Sequence, residues 1–381
     1  SSELLKIMSP FLFFISLSAF NMGLLNSKSK FFVPAFSPTI FNLGIILVLL
    51  SSFYLFDMTI SSLAYGVVFG SILQFLYQLP YIYTNNLSYR VSFSNIFNTK
   101  TKKFLYVVGP QVLGLGIYNI NILINTQFAS FMEDGAITYL YLSERLLEFP
   151  LGVFAVSIAV TSLTKFSEFS SKKQIEKISD YLNERMRFLF YLLIPCSIIF
   201  IFWGLDICKI LFERGEFLSI DSHNTSKALL AYSSGLIFIG GVRLCTQVFF
   251  ANKNTKTPFK LSIYNLFWNI IFCYLFAFKL DLGFVGLALA SSASSLVLFF
   301  SLFYNLASEN INLRLASLLG YLLKIIVLCI ITLFLIDLLF NLFPWVLLND
   351  YVIFAKIIIF ILFYIFFSYI FKISELYLIR Q

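Results

Sequence analysis

Glu144, Arg145 and Glu148 stand in YLSERLLEFPLG, residues 141–152, within an apolar run long enough to cross a membrane. At 1.5 Å per residue, Arg145 lies about 15 Å into a helix starting near Gly135, close to the middle of a hydrocarbon core about 30 Å thick. A charge at that depth is costly, more so when it faces lipid, so it should face a bundle interior or a wet cavity. Arg145 and Glu148 are three apart and share a helix face, which allows an ion pair, while Glu144 is rotated about 100° from Arg145. Pro150 removes a backbone donor just beyond and invites a kink. Two readings of the pair remain open on spacing alone. Either Arg145 lines a cavity and binds an anionic group of a cargo, or the pair fixes its helix against neighbours.

The preceding span, QVLGLGIYNINILINTQFAS, carries Gln111, Asn119, Asn121, Asn125 and Gln127. Amides in lipid usually join helices through hydrogen bonds, and that reading is preferred here. The alternative is a cargo or monovalent-cation site made by Asn125 with Asn269, Ser291 or Ser292. Gln74 and Gln78, one turn apart before Pro80, either line a cavity or pack between helices. Arg243, about 10 Å from the cytoplasmic end of its span, is read as snorkelling to the interface, with an acidic lipid headgroup as the alternative. Lys324 occupies a similar position on the penultimate span. Asp337 and Lys356, near the outer interface, and the lone His223 in an outer loop need no function.

These residues need a membrane scaffold. The chain is 59% hydrophobic and 12% charged, with 48 Phe, a composition foreign to water-soluble domains of this size. Apolar runs of spanning length recur near 8–25, 33–54, 62–83, 103–131, 135–163, 185–212, 226–250, 258–278, 284–306, 316–343 and 351–372. Alternation at period two is absent, and the runs far exceed a transmembrane strand, so the expected fold is an all-α, polytopic helical bundle of about eleven spans. The five cysteines are scattered within apolar runs and form neither a disulfide framework nor a metal motif.

Lysines and arginines alternate between loops. One set of connections holds Lys28, Lys30, Arg90, Lys100, Lys102, Lys103, Lys165, Lys172, Lys173, Lys177, Arg185, Arg187, Lys253, Lys256, Lys260 and Arg314. The other holds Asp57, Glu133, Asp134, Glu213, Arg214, Glu216, Asp221, Lys279, Asp281 and Asp350. The first set should be cytoplasmic, which absorbs most of the net charge of +8 and leaves no reason to expect nucleic acid as a partner. The C-terminus is then cytoplasmic as well. Lys172 to Arg187 reads as an amphipathic helix lying on the inner surface.

An internal repeat suggests two homologous halves. NSKSKFFVPAFSPTIFNLGII from Asn26 resembles NKNTKTPFKLSIYNLFWNIIF from Asn252, and AYGVVFGS near Gly66 answers GLALASSA near Gly286 at a similar offset. The second half opens near Lys103, so the first should open about 120 residues before Ser1, leaving room for three more helices and about fourteen spans in all. The expected organisation is residues 1–100 as three helices of one lobe, 101–310 as a six-helix lobe, and 311–381 as a helix pair.

Several stretches in order, FFVPAFSPTIFNLGII, AYGVVFGSILQFLYQLP, GPQVLGLGIYNINILINTQFAS, YLSERLLEFPLGVFAVSIAVTSL, ILFERGEF and FFANKNTKTP with GFVGLALASS, resemble the MurJ (MviN-type) lipid II flippases. These belong to the multidrug/oligosaccharidyl-lipid/polysaccharide exporter superfamily. The resemblance runs to about residue 306 and fits the last two spans by position. It implies two six-helix lobes plus a helix pair in a bacterial cytoplasmic (inner) membrane, moving lipid II from inner to outer leaflet by alternating access. It also implies that Arg145 is a cavity residue, and a pyrophosphate suits the planar, bidentate fork of Arg. Glu148 would hold the guanidinium and accept it when cargo leaves; Glu144, Gln74, Gln78 and Asn121 join them as expected cargo-side residues. Some relatives carry acids where this chain has Asn125 and Cys273, a departure that weakens the expectation of sodium coupling at Asn125, Asn269 and Ser291. No resident cofactor or metal is expected, and coupling to a monovalent cation or to the membrane potential stays open. The expected partners are lipid II, membrane lipids and cell-wall synthesis proteins. No catalytic constellation is present, so a transporter is expected rather than an enzyme. The rivals are another exporter of the superfamily and a membrane-embedded glycosyltransferase.

Overall fold

The computed structural model describes residues 2–28, 30, 32–55, 60–85, 87, 116–117, 119–342, 352–373 and 375–376. The described residues contain helices and no strand. In hydrocarbon each backbone N–H and C=O must be paired within its own segment, and a helix does this without a partner strand. Nine described helices are long and apolar enough to cross a membrane, or ten with one bent pair taken as a single span. The expected basic residues Arg90, Lys100, Lys102 and Lys103, with Asp57, Gln111 and Asp350, lie outside the described residues.

The chain forms two compact units, Ser1–Asn98 and Thr99–Gln381. The first contains α1 (Ser2–Ser27), α2 (Phe32–Leu55) and α3 (Ile60–Thr84). The crossing of α2 and α3 depends on glycine, because a Cβ on Gly70 would stand 2.5 Å from the Phe41 carbonyl oxygen. One on Gly44 would stand 2.6 Å from Gly70 Cα. Gly66 and Gly70 are four apart on one face of α3, the small-residue spacing that lets two backbones approach in a membrane.

The second unit opens, in its described part, with α4 (119–129), which belongs to the expected 103–131 span. It continues through α5 (Ala136–Pro150), a π turn at Leu151–Val156, and α6 (Ser157–Ser171), together one run of 36 residues. Pro150 cannot donate to the carbonyl four residues back, and the widened turn directly after it is the local form of the expected kink. Then come α7 (Ile175–Phe212), α8 (Ser219–Ser233), α9 (Leu236–Ala251), α10 (Lys256–Cys273) ending in a second π turn, and α11 (Gly283–Ser308). The helices α12 (Leu315–Leu342) and α13 (Val352–Ile370) complete it.

One refinement and one correction follow. The run 226–250 is bent: α8 and α9 meet at an angle of 45°. Gly235 sits at the break because a Cβ there would lie 2.7 Å from Ser292, whose hydroxyl donates to the Ala231 carbonyl at 2.9 Å. The stretch Lys172 to Arg187 is not a separate surface helix. After a turn at 172–174 it forms the first turns of α7, which runs unbroken for 38 residues.

Within this unit α8 packs between α5, α7 and α11, while α9 contacts α6, α7 and α11. Leu182, Met186, Leu189 and Leu193 of α7 are completely buried at the centre of the packing. The α12–α13 pair belongs to the same unit, with α12 against α7. Tyr364 donates to the Tyr191 carbonyl at 2.8 Å, Arg314 pairs with Asp180 at 2.7 Å, and Asn183 donates to the Asn312 carbonyl at 2.9 Å.

Candidate functional site

Helix α5 separates its faces cleanly. Tyr139, Leu140, Ser143, Leu147 and Pro150 are buried at three- and four-residue steps. Two bonds pin that stripe to α8: Tyr139 donates to Asp221 at 2.7 Å, and Ser143 Oγ lies 2.7 Å from the Thr225 carbonyl oxygen. With the stripe fixed, Tyr141 and Arg145 turn outward. The Arg145 side chain is 57% exposed, donates to Glu148 Oε2 at 2.7 Å, and lies over the Tyr141 ring at 4.8 Å. The ion pair allowed by the spacing is therefore formed, and it lies on the exposed face of the helix rather than in the packing.

Glu144 and Glu148, one turn apart, look instead toward a cavity of ≈ 680 Å³, open space at its mouth included. Among the described residues its walls come from five helices: Asn121 and Asn125 of α4, both glutamates of α5, Tyr232 of α8, Arg243 of α9, and Ser291 of α11. A smaller recess of ≈ 450 Å³ adjoins it and shares Asn125 and Glu144. The Asn121 side-chain oxygen is buried and accepts no hydrogen bond.

Behind this wall is a chain of neutral groups. Asn125 donates to Ser291 Oγ at 3.0 Å, and Asn269 donates to Ser294 Oγ at 3.3 Å. The Cys273 thiol stands 3.3 Å from Asn125 Oδ1 and 3.4 Å from Asn269 Oδ1, so its single proton can serve either amide. The structure thus brings Asn125, Asn269 and Ser291 together, joining α4, α10 and α11. Ser292 is turned away to the α8–α9 break. The chain has no formal charge, and each amide gives one N–H to a hydroxyl. Among the described residues no group of three or more His, Cys, Asp or Glu side chains could hold a metal.

Gln74 and Gln78 belong to the first unit. Both are buried, and Gln78 donates to Ser37 Oγ of α2 at 2.8 Å, joining α2 and α3. Arg243 is the wall residue that sequence reasoning did not place in a cavity. It is among the residues that line the cavity with the two glutamates. Its helix is apolar around most of its circumference, which leaves the sequence no polar face to show where the guanidinium points.

Comparison with known proteins places this geometry in a family context. Residues 1–359 match the family model described as lipid II flippase MurJ. A "Probable lipid II flippase MurJ" of Buchnera aphidicola subsp. Schizaphis graminum is 32% identical over 348 residues, 91% of this chain and 67% of that protein. A protein of the same description from Vibrio cholerae is 33% identical over 302 residues, covering 77% of this chain and 56% of its own length. The chain therefore spans about two thirds or less of the length of these curated relatives. A solved structure titled "Lipid II flippase MurJ, inward closed conformation" superposes with a TM-score of 0.81 at 31% identity, over 97% of this chain and 74% of that one. An inward-facing MATE multidrug transporter of the MOP superfamily gives a TM-score of 0.69 at 13% identity, over 84% of this chain and 72% of that one, a likeness of fold alone.

Proposed function

The chain belongs to the lipid II flippase MurJ family, and from that premise we propose that it carries part of the path by which undecaprenyl-pyrophosphate-linked peptidoglycan precursor crosses from the inner to the outer leaflet of a bacterial cytoplasmic membrane. The observation that carries the reading is the placement of Arg145, a cation about 15 Å into a 36-residue apolar helical run, on the exposed face of a helix whose other face is pinned to α8. Hydrocarbon is a costly neighbour for a guanidinium at that depth, so the face it occupies must be wet or occupied by an anion. Glu148 supplies the counter-charge when no cargo is present. A pyrophosphate offers the same planar pairs of oxygens with more charge, so it can displace the carboxylate, and the fork geometry favours Arg over Lys. Alternating access between two repeated lobes would then expose the loaded face to each leaflet in turn. The basic loops and C-terminus would face the cytoplasm, and a monovalent cation or the membrane potential would supply coupling.

Purified protein should bind lipid II more tightly than undecaprenol, and moderate salt should leave most of that preference intact, because a partly desolvated site is screened less than a surface patch. Arg145→Ala should erase most of the difference, and Arg145→Lys should recover little of it. Equal affinity for the charged and uncharged lipids in wild type and Arg145→Ala alike would refute the assignment.

A further inference from the structure

Glu148 is shared between two places: it bonds Arg145 on the exposed face of α5, and it forms part of the wall of the cavity that Arg243 lines from α9. We propose that Glu148 is an exchangeable counter-ion, held by Arg145 in the unloaded protein and handed to Arg243 when the pyrophosphate of the cargo takes Arg145. The proposal rests on the function given above and adds a second basic residue and a direction of charge movement to it.

The electrostatics require some destination for the carboxylate. When an anionic group occupies the Arg145 fork, Glu148 loses its partner and gains a neighbouring like charge, with Glu144 one turn away on the same wall. A carboxylate left without its partner, beside a second carboxylate and an incoming anion, opposes the binding that displaced it. Among the described lining residues the cationic group on this wall is Arg243, which borders the same cavity as Glu148 from α9. A guanidinium carries five N–H donors, so accepting Glu148 does not require Arg243 to give up contacts it already has. The exchange moves no net charge, and it converts capture of an anion on the α5 surface into a new bond between α5 and α9. Arg243 is thus a positioning residue that acts through Glu148, whereas Arg145 touches the cargo.

A double-mutant cycle on lipid II binding by the purified protein, with undecaprenol as the uncharged control, tests this. Glu148→Gln removes the competitor for Arg145 and should tighten lipid II binding several-fold. Arg243→Gln, which keeps bulk and hydrogen bonding but not charge, should weaken it about tenfold in the wild-type background, equivalent to about 1.4 kcal/mol. In the Glu148→Gln background the same change should alter binding less than about twofold, because no carboxylate awaits a partner. Arg243→Lys should stay close to wild type, and it supplies the comparison if the Gln variant accumulates poorly. Equal weakening by Arg243→Gln in both backgrounds would mean that Arg243 touches the cargo or merely holds the fold, and no weakening in either would mean it receives nothing; each result overturns the exchange. Loss of the lipid II preference on Arg145→Ala, together with either overturning result, would leave the flippase reading standing and this inference alone refuted.

Discussion

Replacing Cys273 by Ala or by Ser separates a hydrogen bond from a hydrophobic contact at the junction of α4, α10 and α11. Cys273 and Asn269 are fully buried, and the thiol is the donor facing the oxygens of both Asn125 and Asn269. Asn125 also borders the cavity, where water can replace a lost donor, but Asn269 has no such recourse. Cys273→Ala should therefore cost about one orphaned buried acceptor, about 1–3 kcal/mol, with a small further loss for the missing sulfur. At about 2 cal/mol/K of unfolding entropy per residue, a chain of 381 residues converts that into a fall of about 1–4 °C in apparent Tm. Cys273→Ser keeps a donor at nearly the same place, and a hydroxyl is the better donor, so its Tm should match wild type to within about 1 °C. Thermal unfolding of the three proteins, purified in one detergent, makes the comparison. A serine variant as unstable as the alanine variant would show that sulfur packing, not the proton, matters at 273. An alanine variant equal to wild type would show that the chain of amides needs no donor there.

Gly70→Val should prevent close approach of α2 and α3, since its first carbon already meets the Phe41 carbonyl oxygen at 2.5 Å, and folded yield by size-exclusion chromatography should collapse; normal yield would refute the tight crossing. Tyr139→Phe removes the 2.7 Å bond to Asp221 and should lower stability by about 1–2 kcal/mol while leaving the Arg145–Glu148 pair formed; an unchanged Tm would show that the tie carries no weight. In a background without native cysteines, a cysteine at Asp134 should react with an impermeant thiol reagent added outside, and one at Lys173 only after lysis. The reverse pattern would invert the topology.

Length was the most legible property of this chain, because the hydrocarbon core sets how many apolar residues a span needs and each described helix of spanning length falls on an expected run. Breaks and continuations within long apolar segments were not legible. The bend between α8 and α9 depends on Gly235 meeting Ser292, a contact between residues far apart in sequence. The continuity of α7 follows from the absence of Gly or Pro between its charged first turns and the apolar part after Arg187, and a change of composition looks like a boundary even where the backbone has no reason to stop. At the site, the i, i+3 relation of Arg145 and Glu148 reads directly from helix geometry. The role of Cys273 does not, because a thiol in an apolar run reads as a small hydrophobe and becomes a donor only when two amides from other helices are set beside it. The place of Arg243 in the cavity wall is not legible for a related reason: depth along a helix can be read from a sequence, but azimuth cannot when most of the remaining residues are apolar.

The unbroken length of α7 has a mechanical consequence. Thirty-eight residues make a rod about 57 Å long, nearly twice the thickness of the hydrocarbon core. Near one end it is bolted to the connection between α11 and α12 through Asp180 and Asn183, and farther along, at Tyr191, it is fastened to α13. Fixed at separate heights, the rod and the α12–α13 pair cannot swivel independently; they behave as one strut. A push on the protruding end would be delivered along the strut to α9, which meets it at Leu189 and Leu193, and then to α8, which meets it at Ser197 and Gly204, so a load applied in the aqueous phase would be felt at the depth of the cavity.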